Sequence, residues 1–370
     1  MSNQSSLPDD MFFEILVHLS AKDIYDATRL VCCKWYNMIH TNNFIQTHLQ
    51  HAPFGLLFHS CHMDSRYMTL RQGRVEISKL TRFKFSRESW SSCNGLILEF
   101  HFPTTFYVVN PITNQVFVLP PFIHSLSTGR FFVMAYVAAS MEYKVVAAFG
   151  PNIRTGDTFL HCHILTVGVD NSWRTIRTQQ MTLADIQTIK LSRPVMTQGF
   201  IHWIGDGDIF TLNVETETIN RIRRPKPFDR RPISISRSSS LCYGNIVTYL
   251  STGGRLLSCL VPCGEFLWEV WENNPDSREW KKLFDIDLEH DEWTLERPRR
   301  NEFREYGYLV PIGWVKYLEL LAFRPSRNAN FVFFYSCVGF GIFGKFDLHN
   351  PLCRYNVFLH QNSLVWLDGS

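Results

Sequence analysis

The sequence predicts an α+β chain of two parts. A small all-α module occupies residues 7–52, and a mainly-β domain, read as a β-propeller of about six blades, occupies 53–370. Three observations carry this. Apolar residues recur at helical spacing through the first fifty positions. After Pro53 the pattern changes to short alternating or continuous apolar runs. One strand–turn–strand phrase then recurs along the rest of the chain.

Residues 1–6, MSNQSS, are short and polar and are expected to be disordered. The first helix is expected to start at Pro8, because proline suits a position where its missing N–H is no loss. Asp9 and Asp10 then place negative charge at the positive end of the helix dipole. Met11, Phe12, Ile15, Leu16 and Leu19 form a wide apolar stripe. Ser20 with Asp23 reads as an N-cap with an acid three residues on, a variant of the capping box. A second helix carries Ile24, Ala27, Leu30 and Val31. A third carries Trp35, Met38 and Ile39 and stops near Thr41-Asn42-Asn43. A fourth pairs Phe44 with His48 and Ile45 with Leu49. A unit this small buries too little surface to be stable alone. Its apolar faces need either the rest of the chain or a partner.

The β domain follows from runs rich in Val, Ile, Phe and Tyr, broken by Asn, Gly and Pro. They are Phe54–His59, Leu96–Phe102, Phe106–Val109, Val116–Leu119, Phe131–Val137, Lys144–Phe149, Gly199–Ile204, Asn330–Tyr335 and Tyr355–Leu359. A helical turn is expected around Thr182–Thr188. The recurring phrase reads YVVNPITNQVFVLPP at 107–121, HILTVGVDNSWRTI at 163–176, IFTLNVETETINRIRRP at 209–225 and EVWENNPDSREWKKLFDI at 269–286. A fifth copy is read at 344–359, GKFDLHNPLCRYNVFL. Asn, Asp, Pro and Thr stand where tight hairpins need them. The spacing approximates a four-stranded propeller blade with insertions, and radial packing lets each small sheet bury its neighbour. A large sandwich or two stacked barrels stay open as alternatives.

The first fifty residues resemble an F-box, the adaptor-binding module of SCF-type ubiquitin ligases. The match is carried by Leu7-Pro8, Glu14-Ile15-Leu16, Leu19, Lys22-Asp23, Val31-Cys32, Lys34-Trp35, Ile39, Phe44 and His48. Tyr36 departs from the common pattern, as do Thr41-Asn42, and Cys33 is an extra cysteine. The rest is similar to the F-box-associated domain of large plant families. That likeness rests on Ser92-Cys93-Asn94-Gly95-Leu96, Val109-Asn110-Pro111-Ile112-Thr113-Asn114, Leu119-Pro120-Pro121, Tyr143-Lys144-Val145-Val146, Asn171-Ser172-Trp173-Arg174, Gly199-Phe200-Ile201-His202-Trp203 and Glu279-Trp280-Lys281-Lys282-Leu283-Phe284.

The resemblance implies a substrate-recognition subunit that docks a Skp-type adaptor, reaches a cullin scaffold through it, and binds a target protein through the β domain. Carried over by position, the adaptor anchors are Leu7, Pro8, Ile15, Leu16, Leu19, Val31 and Trp35. Some of these could instead hold the helical core. No catalytic residue, cofactor or metal is implied.

Composition agrees with a globular chain. The net charge is only +3 over 370 residues, which argues against wholesale nucleic-acid binding. No apolar run is long enough for a membrane-spanning helix, and MSNQSS lacks the features of a signal peptide. The chain is expected in the cytoplasm or nucleus. The ten cysteines are scattered and read as small buried hydrophobes. His161-Cys162-His163 and the Cys259/Cys263 pair lack zinc-site spacing, although strand alternation puts both histidines on one face.

Enzyme signatures are missing: no GxSxG, GKS/GKT or HExxH occurs. Gly339–Gly344 matches GxGxxG but opens no helix, so it reads as a glycine-rich strand bend. The acids of 285–292 read as a solvated loop. The densest basic run is Arg221, Arg223, Arg224, Lys226, Arg230 and Arg231. It is read as an exposed inter-blade loop or, alternatively, a contact for an acidic or phosphorylated target segment. Arg297, Arg299 and Arg300 make a second polar candidate. A different class of function, glycan reading by stacked aromatics, would use Trp90, Trp203, Trp268, Trp293 or Trp314, and a third reading is an adaptor-bound regulatory protein that takes no part in ubiquitination.

Overall fold

Side-chain caps set the starts of two of the four helices in the N-terminal module, those at Ser20 and Thr41. In the computed structural model, α1 spans Asp9–Val17, α2 Ala21–Asp26, α3 Cys33–Ile39 and α4 Asn42–His51. The structure describes residues 7–60, 63–71, 74–79, 88–101, 105–122, 130–149, 160–176, 194–205, 207–225, 247–263, 267–274, 276–288, 309–325, 331–339, 341–347 and 356–367. Residues 1–6 and the turn expected at Thr182–Thr188 lie outside them. Pro8 is the N-cap of α1 and not its first helical residue. The Ser20 hydroxyl accepts from the Asp23 amide at 3.1 Å and donates to the Asp23 carboxylate at 2.6 Å. The second helix is shorter than its apolar pattern. The chain leaves helical geometry at Ala27 (φ −125°) and continues as a 3-10 turn, Thr28–Leu30. Leu30 and Val31 are thereby left outside the core. Thr41 starts α4 by accepting from the Phe44 amide at 3.2 Å.

Six four-stranded antiparallel sheets follow, the blades of a six-bladed β-propeller. Blade one takes β1 (Phe54–Ser60), β2 (Met63–Arg71) and β3 (Arg74–Lys79), and is completed by the distant β24 (Asn356–Gln361), in the order β24-β1-β2-β3. Blade two holds β4 (Glu88–Cys93), β5 (Leu96–His101), β6 (Thr105–Asn110) and β7 (Gln115–Val118). Blade three holds β8 (Arg130–Val137), β9 (Glu142–Phe149), β10 (His161–Thr166) and β11 (Arg174–Ile176). Blade four holds β12 (Val195–Thr197), β13 (Phe200–Ile204), β14 (Asp208–Asn213) and β15 (Thr218–Arg223). Blade five holds β16 (Thr248–Ser251), β17 (Leu257–Pro262), β18 (Leu267–Asn273) and β19 (Trp280–Asp287). Blade six holds β20 (Leu309–Lys316), β21 (Leu320–Pro325), β22 (Phe331–Ser336) and β23 (Gly341–Asp347).

Four of the five recurring phrases are the third and fourth strands of a blade: β6–β7, β10–β11, β14–β15 and β18–β19. Their turns each hold a residue with left-handed backbone, namely Asn114 (φ 58°), Gly168 (φ 78°), Glu217 (φ 55°) and Arg278 (φ 58°). The fifth phrase is not a hairpin. β23 pairs with β22, whereas β24 pairs with β1, Leu56 opposite Leu359. The open edge of β1 takes the late strand because its ladder donors and acceptors need a partner. Two further expectations are corrected. Asp285 and Asp287 lie in β19 and not in a loop, and Arg221 and Arg223 lie in the edge strand β15. Gly339 falls in the turn between β22 and β23, its amide donating to the Ser336 hydroxyl at 3.0 Å.

Two compact units result, Met1–Phe122 with Asn356–Ser370, and Ile123–Tyr355. In the first, Leu16, Val17, Ile24, Ile39 and Phe44 from the helices share one core with Leu57, Tyr67, Ile97 and Val109 from blades one and two. One apolar face of the helical module is thus covered by the chain's own sheets. Glu99, on β5, is 6% exposed in this unit, with Oε1 unpartnered, and burial pushes its carboxyl from 4.5 up to about 8. In the second unit, blades three and four pack around Trp203, and blades five and six around Trp268 and Phe323. Lys144 donates to the Glu217 carboxylate at 3.0 Å, and Arg174 donates to it twice at 2.9 Å. These bonds, Arg174's first, hold the Glu217 carboxyl below its ordinary range.

Candidate functional site

The helical module has a second apolar face, and no other part of the described chain covers it. Leu7 stands just before the N-cap of α1, and Met11 and Ile15, four residues apart, line one side of the helix. They are 45%, 49% and 51% exposed. Leu30 and Val31, released by the break at Ala27, are 68% and 59% exposed, and Tyr36 is 45% exposed. The Lys34 ammonium pairs with the Asp9 carboxylate, and the Trp35 ring sits 5.4 Å from that of Phe12. Both contacts bring the start of α3, which Val31 closely precedes, against the start of α1. Single exposed apolar residues are ordinary; a contiguous group on one small module marks an interaction surface.

The seven anchors expected from sequence separate by burial. Leu7, Pro8, Ile15 and Val31 are exposed. Leu19 and Trp35 are half-buried and pack against the shared core. Leu16 is 1% exposed and belongs to that core, so it offers a partner almost no surface. Met11, Leu30 and Tyr36 were not among the seven. Met11 was legible as part of the apolar stripe expected on the first helix. Leu30 was not, since its exposure depends on where α2 breaks.

The face is held by polar groups behind it. His48, buried on α4, donates from Nε2 to the Leu19 carbonyl at 3.0 Å and so fixes the end of α1. Burial lowers its pKa, keeping the ring neutral. The Tyr25 hydroxyl donates to the Thr113 carbonyl at 2.9 Å, tying α2 to the β6–β7 turn.

The basic run is only partly gathered. Arg221 pairs with Asp208 on the neighbouring strand, with its guanidinium 5.7 Å from the Phe210 ring centre. The Arg223 carbonyl accepts from the Trp280 indole at 2.8 Å, and Arg224 donates to the Gly205 carbonyl. Arg221 and Arg224 therefore brace blade four. Lys226, Arg230 and Arg231 lie outside the described residues, as do Arg297, Arg299 and Arg300.

Of the aromatic residues considered for glycan stacking, Trp203, Trp268 and Trp314 are 1%, 4% and 2% exposed. They are core residues, and Trp314 donates to the Ser258 hydroxyl at 2.8 Å. The Trp90 and Trp293 side chains lie outside the described residues. His161 and His163 both stack on Phe149, with centroids 5.2 and 5.4 Å away, as strand alternation requires. Between them Cys162 is fully buried on the opposite face. Among the described residues no group of three or more His, Cys, Asp or Glu could hold a metal ion. No helix among them is long and apolar enough to cross a membrane.

Comparison with known proteins agrees with this arrangement. Residues 4–47 match the F-box domain, and residues 46–243 match the F-box associated beta propeller domain. F-box only protein 15 of Arabidopsis thaliana is 27% identical over 212 residues, which cover 54% of this chain and 53% of that protein. F-box protein At1g10110 from the same plant is 28% identical over 132 residues, covering 35% and 31%. F-box protein At1g20360 is 27% identical over 140 residues, covering 34% and 43%. The matched regions span about half or less of the length of these curated relatives. With more than half of its length matched by the propeller family and its helices by the F-box, this chain belongs to the F-box proteins that carry an F-box-associated β-propeller domain.

Proposed function

We propose that this chain is the target-recognition subunit of an SCF-type ubiquitin ligase in the cytoplasm or nucleus. The single observation that supports this best is the exposed apolar face formed by Leu7, Met11, Ile15, Leu30 and Val31 on a module of F-box sequence. A Skp-type adaptor covers that face and links the chain to a cullin, while the β domain holds a target protein. No chemistry is asked of the chain itself. Binding target and adaptor together raises the effective concentration of target lysines near the conjugating enzyme. Arg223 and the basic segment that follows β15 are candidates for contact with an acidic target segment.

The test is a binding measurement between the full chain and purified Skp-type adaptor, beside a Leu7→Ala/Ile15→Ala/Val31→Ala variant. All three side chains are exposed, so the fold is retained. Covering the exposed half of each contributes roughly 1 kcal/mol, and the triple variant is expected to bind more than about 100-fold more weakly. Absence of binding by a folded wild-type chain, or unchanged affinity of the variant, overturns the reading.

A further inference from the structure

We propose that residues 361–367 act as a strap whose side-chain contacts fix the docking helices in one orientation on blades one and two. In this reading Asn110 and Trp366 are positioning residues for ubiquitin transfer. The inference rests on the ligase reading only for that last consequence.

The observations are independent of one another. Gln361, the last residue of β24, donates its amide to the carbonyls of Leu49 (2.5 Å) and Ala52 (2.6 Å), at the end of α4. Those are the carbonyls that a helix terminus leaves without intrahelical partners. Asn110, fully buried at the end of β6, donates to the carbonyls of Ser363 (3.2 Å) and Val365 (2.8 Å). Its side-chain oxygen accepts from the amides of Ile112 (2.9 Å) and Thr113 (3.3 Å). One side chain thus clasps the strap and shapes the turn on which Tyr25 docks. The Ser363 hydroxyl donates to the Asn94 carbonyl at 2.6 Å, and the Leu367 amide donates to Gln115 Oε1 at 3.0 Å.

Apolar contacts point the same way. Leu364 is 1% exposed in the core shared by helices and sheets. The Trp366 ring stacks on His40, centroids 4.2 Å apart and planes at 22°, and lies 6.1 Å from the Tyr25 ring. The last residue of β24 therefore touches α4, and the segment after it, without secondary structure, touches α2 and the region just after α3 on one side and blade two on the other. Its position is over-determined by contacts to both. A free linker would let the adaptor-bound helices swing against the sheets. The strap removes that freedom, so a target held by the β domain meets the conjugating enzyme from a defined direction.

The experiment uses the full chain bound to adaptor. Spin labels are introduced as unnatural amino acids at Asn37 on α3 and Val118 on β7, both exposed. Wild type and Trp366→Phe are expected to give a single narrow distance distribution. Trp366→Ala and Asn110→Ala are expected to broaden it at least twofold, with adaptor affinity within about threefold of wild type. In the assembled ligase, mass spectrometry is then expected to find the chain's own modified lysines restricted in wild type and at least twice as numerous in Trp366→Ala. A role confined to stability would not move that map. Equal widths in wild type and Trp366→Ala, or a broad distribution in wild type, overturn the strap. Should Asn110→Ala fail to fold, the Trp366→Phe and Trp366→Ala pair decides. Failure of wild type to bind adaptor overturns the ligase reading alone, since the distance measurement on the free chain still decides the strap.

Discussion

Glu99 gives the chain a defined dependence of stability on pH. Its carboxyl is 6% exposed on β5, between Ser89 and Tyr107 of the flanking strands, and titrates near 8 instead of 4.5. Between those values the native state holds a proton that the unfolded chain has lost. Stability therefore falls as pH rises, by about 1.4 kcal/mol per unit, is complete below 4.5 and is lost through 8. The buried histidines act in the opposite direction on the acid side. His202 is lowered to about 3 and His360 to about 4, both by burial. Their unfolded counterparts take up protons below about 6.5, so stability is lost as pH falls from there. The window from 6.5 to 8 isolates Glu99. Across it the wild type is expected to lose roughly 2 kcal/mol, or a Tm decrease of about 2–3 °C. Glu99→Gln keeps the shape and removes the charge. Thermal melts of the full chain followed by circular dichroism, at half-unit steps from pH 5.5 to 8, are expected to show a flat Tm above 6.5 in the variant. The acid-side decline is expected to persist. A variant that declines in parallel with wild type above 6.5 would refute the assignment.

Gly95 has φ +80°, and an added Cβ would lie 2.1 Å from the Ser363 hydroxyl oxygen. Gly95→Ala should cost about 3 kcal/mol in denaturant unfolding, because backbone strain and steric overlap combine. Gly199 has φ +79° with nothing within 4 Å, so Gly199→Ala should cost only about 1 kcal/mol, and equal losses would contradict the clash. Cysteine reactivity should divide by exposure. Cys32 and Cys33 are exposed, whereas burial raises the Cys162 and Cys337 thiols to about 12 and that of Cys259 further. Brief iodoacetamide treatment of the native chain is expected to alkylate Cys32 and Cys33 at least tenfold ahead of those three by peptide mapping. Early labelling of Cys162 would contradict its burial.

Much of the helical module was legible because its signals are local. Ser20 and Asp23 announce a helix start through their own side chains, and the structure uses both, while Thr41, expected only as the stop of the third helix, caps the start of α4. Four hairpins were legible for the same reason, since Asn, Asp, Pro and Thr mark their turns, although the left-handed positions of two fall to Glu217 and Arg278. What the chain concealed is set by partners far away in sequence. β24 looks like any other strand, and nothing within it says that it pairs with β1 and not with β23. The candidate site shows the same division. The stripe on α1 was visible, but its width exceeds one buried face. Only packing against blades one and two decides that Leu16 turns inward while Ile15 faces out. Arg221 read as free charge because its partner, Asp208, stands on another strand.

The late strand in blade one has a consequence for synthesis. Gln361 pairs opposite Phe54 and also completes the end of α4, so a segment made early is finished only by one made much later. The separation is 307 residues. At roughly 5–20 residues per second, the N-terminal helices wait on the order of 15–60 s for their last partners. Throughout that interval the edge of β1 is open and the inner faces of α1 and α4 lack part of their cover. A ribosome that stalls before residue 356 releases a product with that edge unpaired, a substrate for chaperones and proteases. Translation past residue 361 thus completes both blade one and the packing of the N-terminal helices.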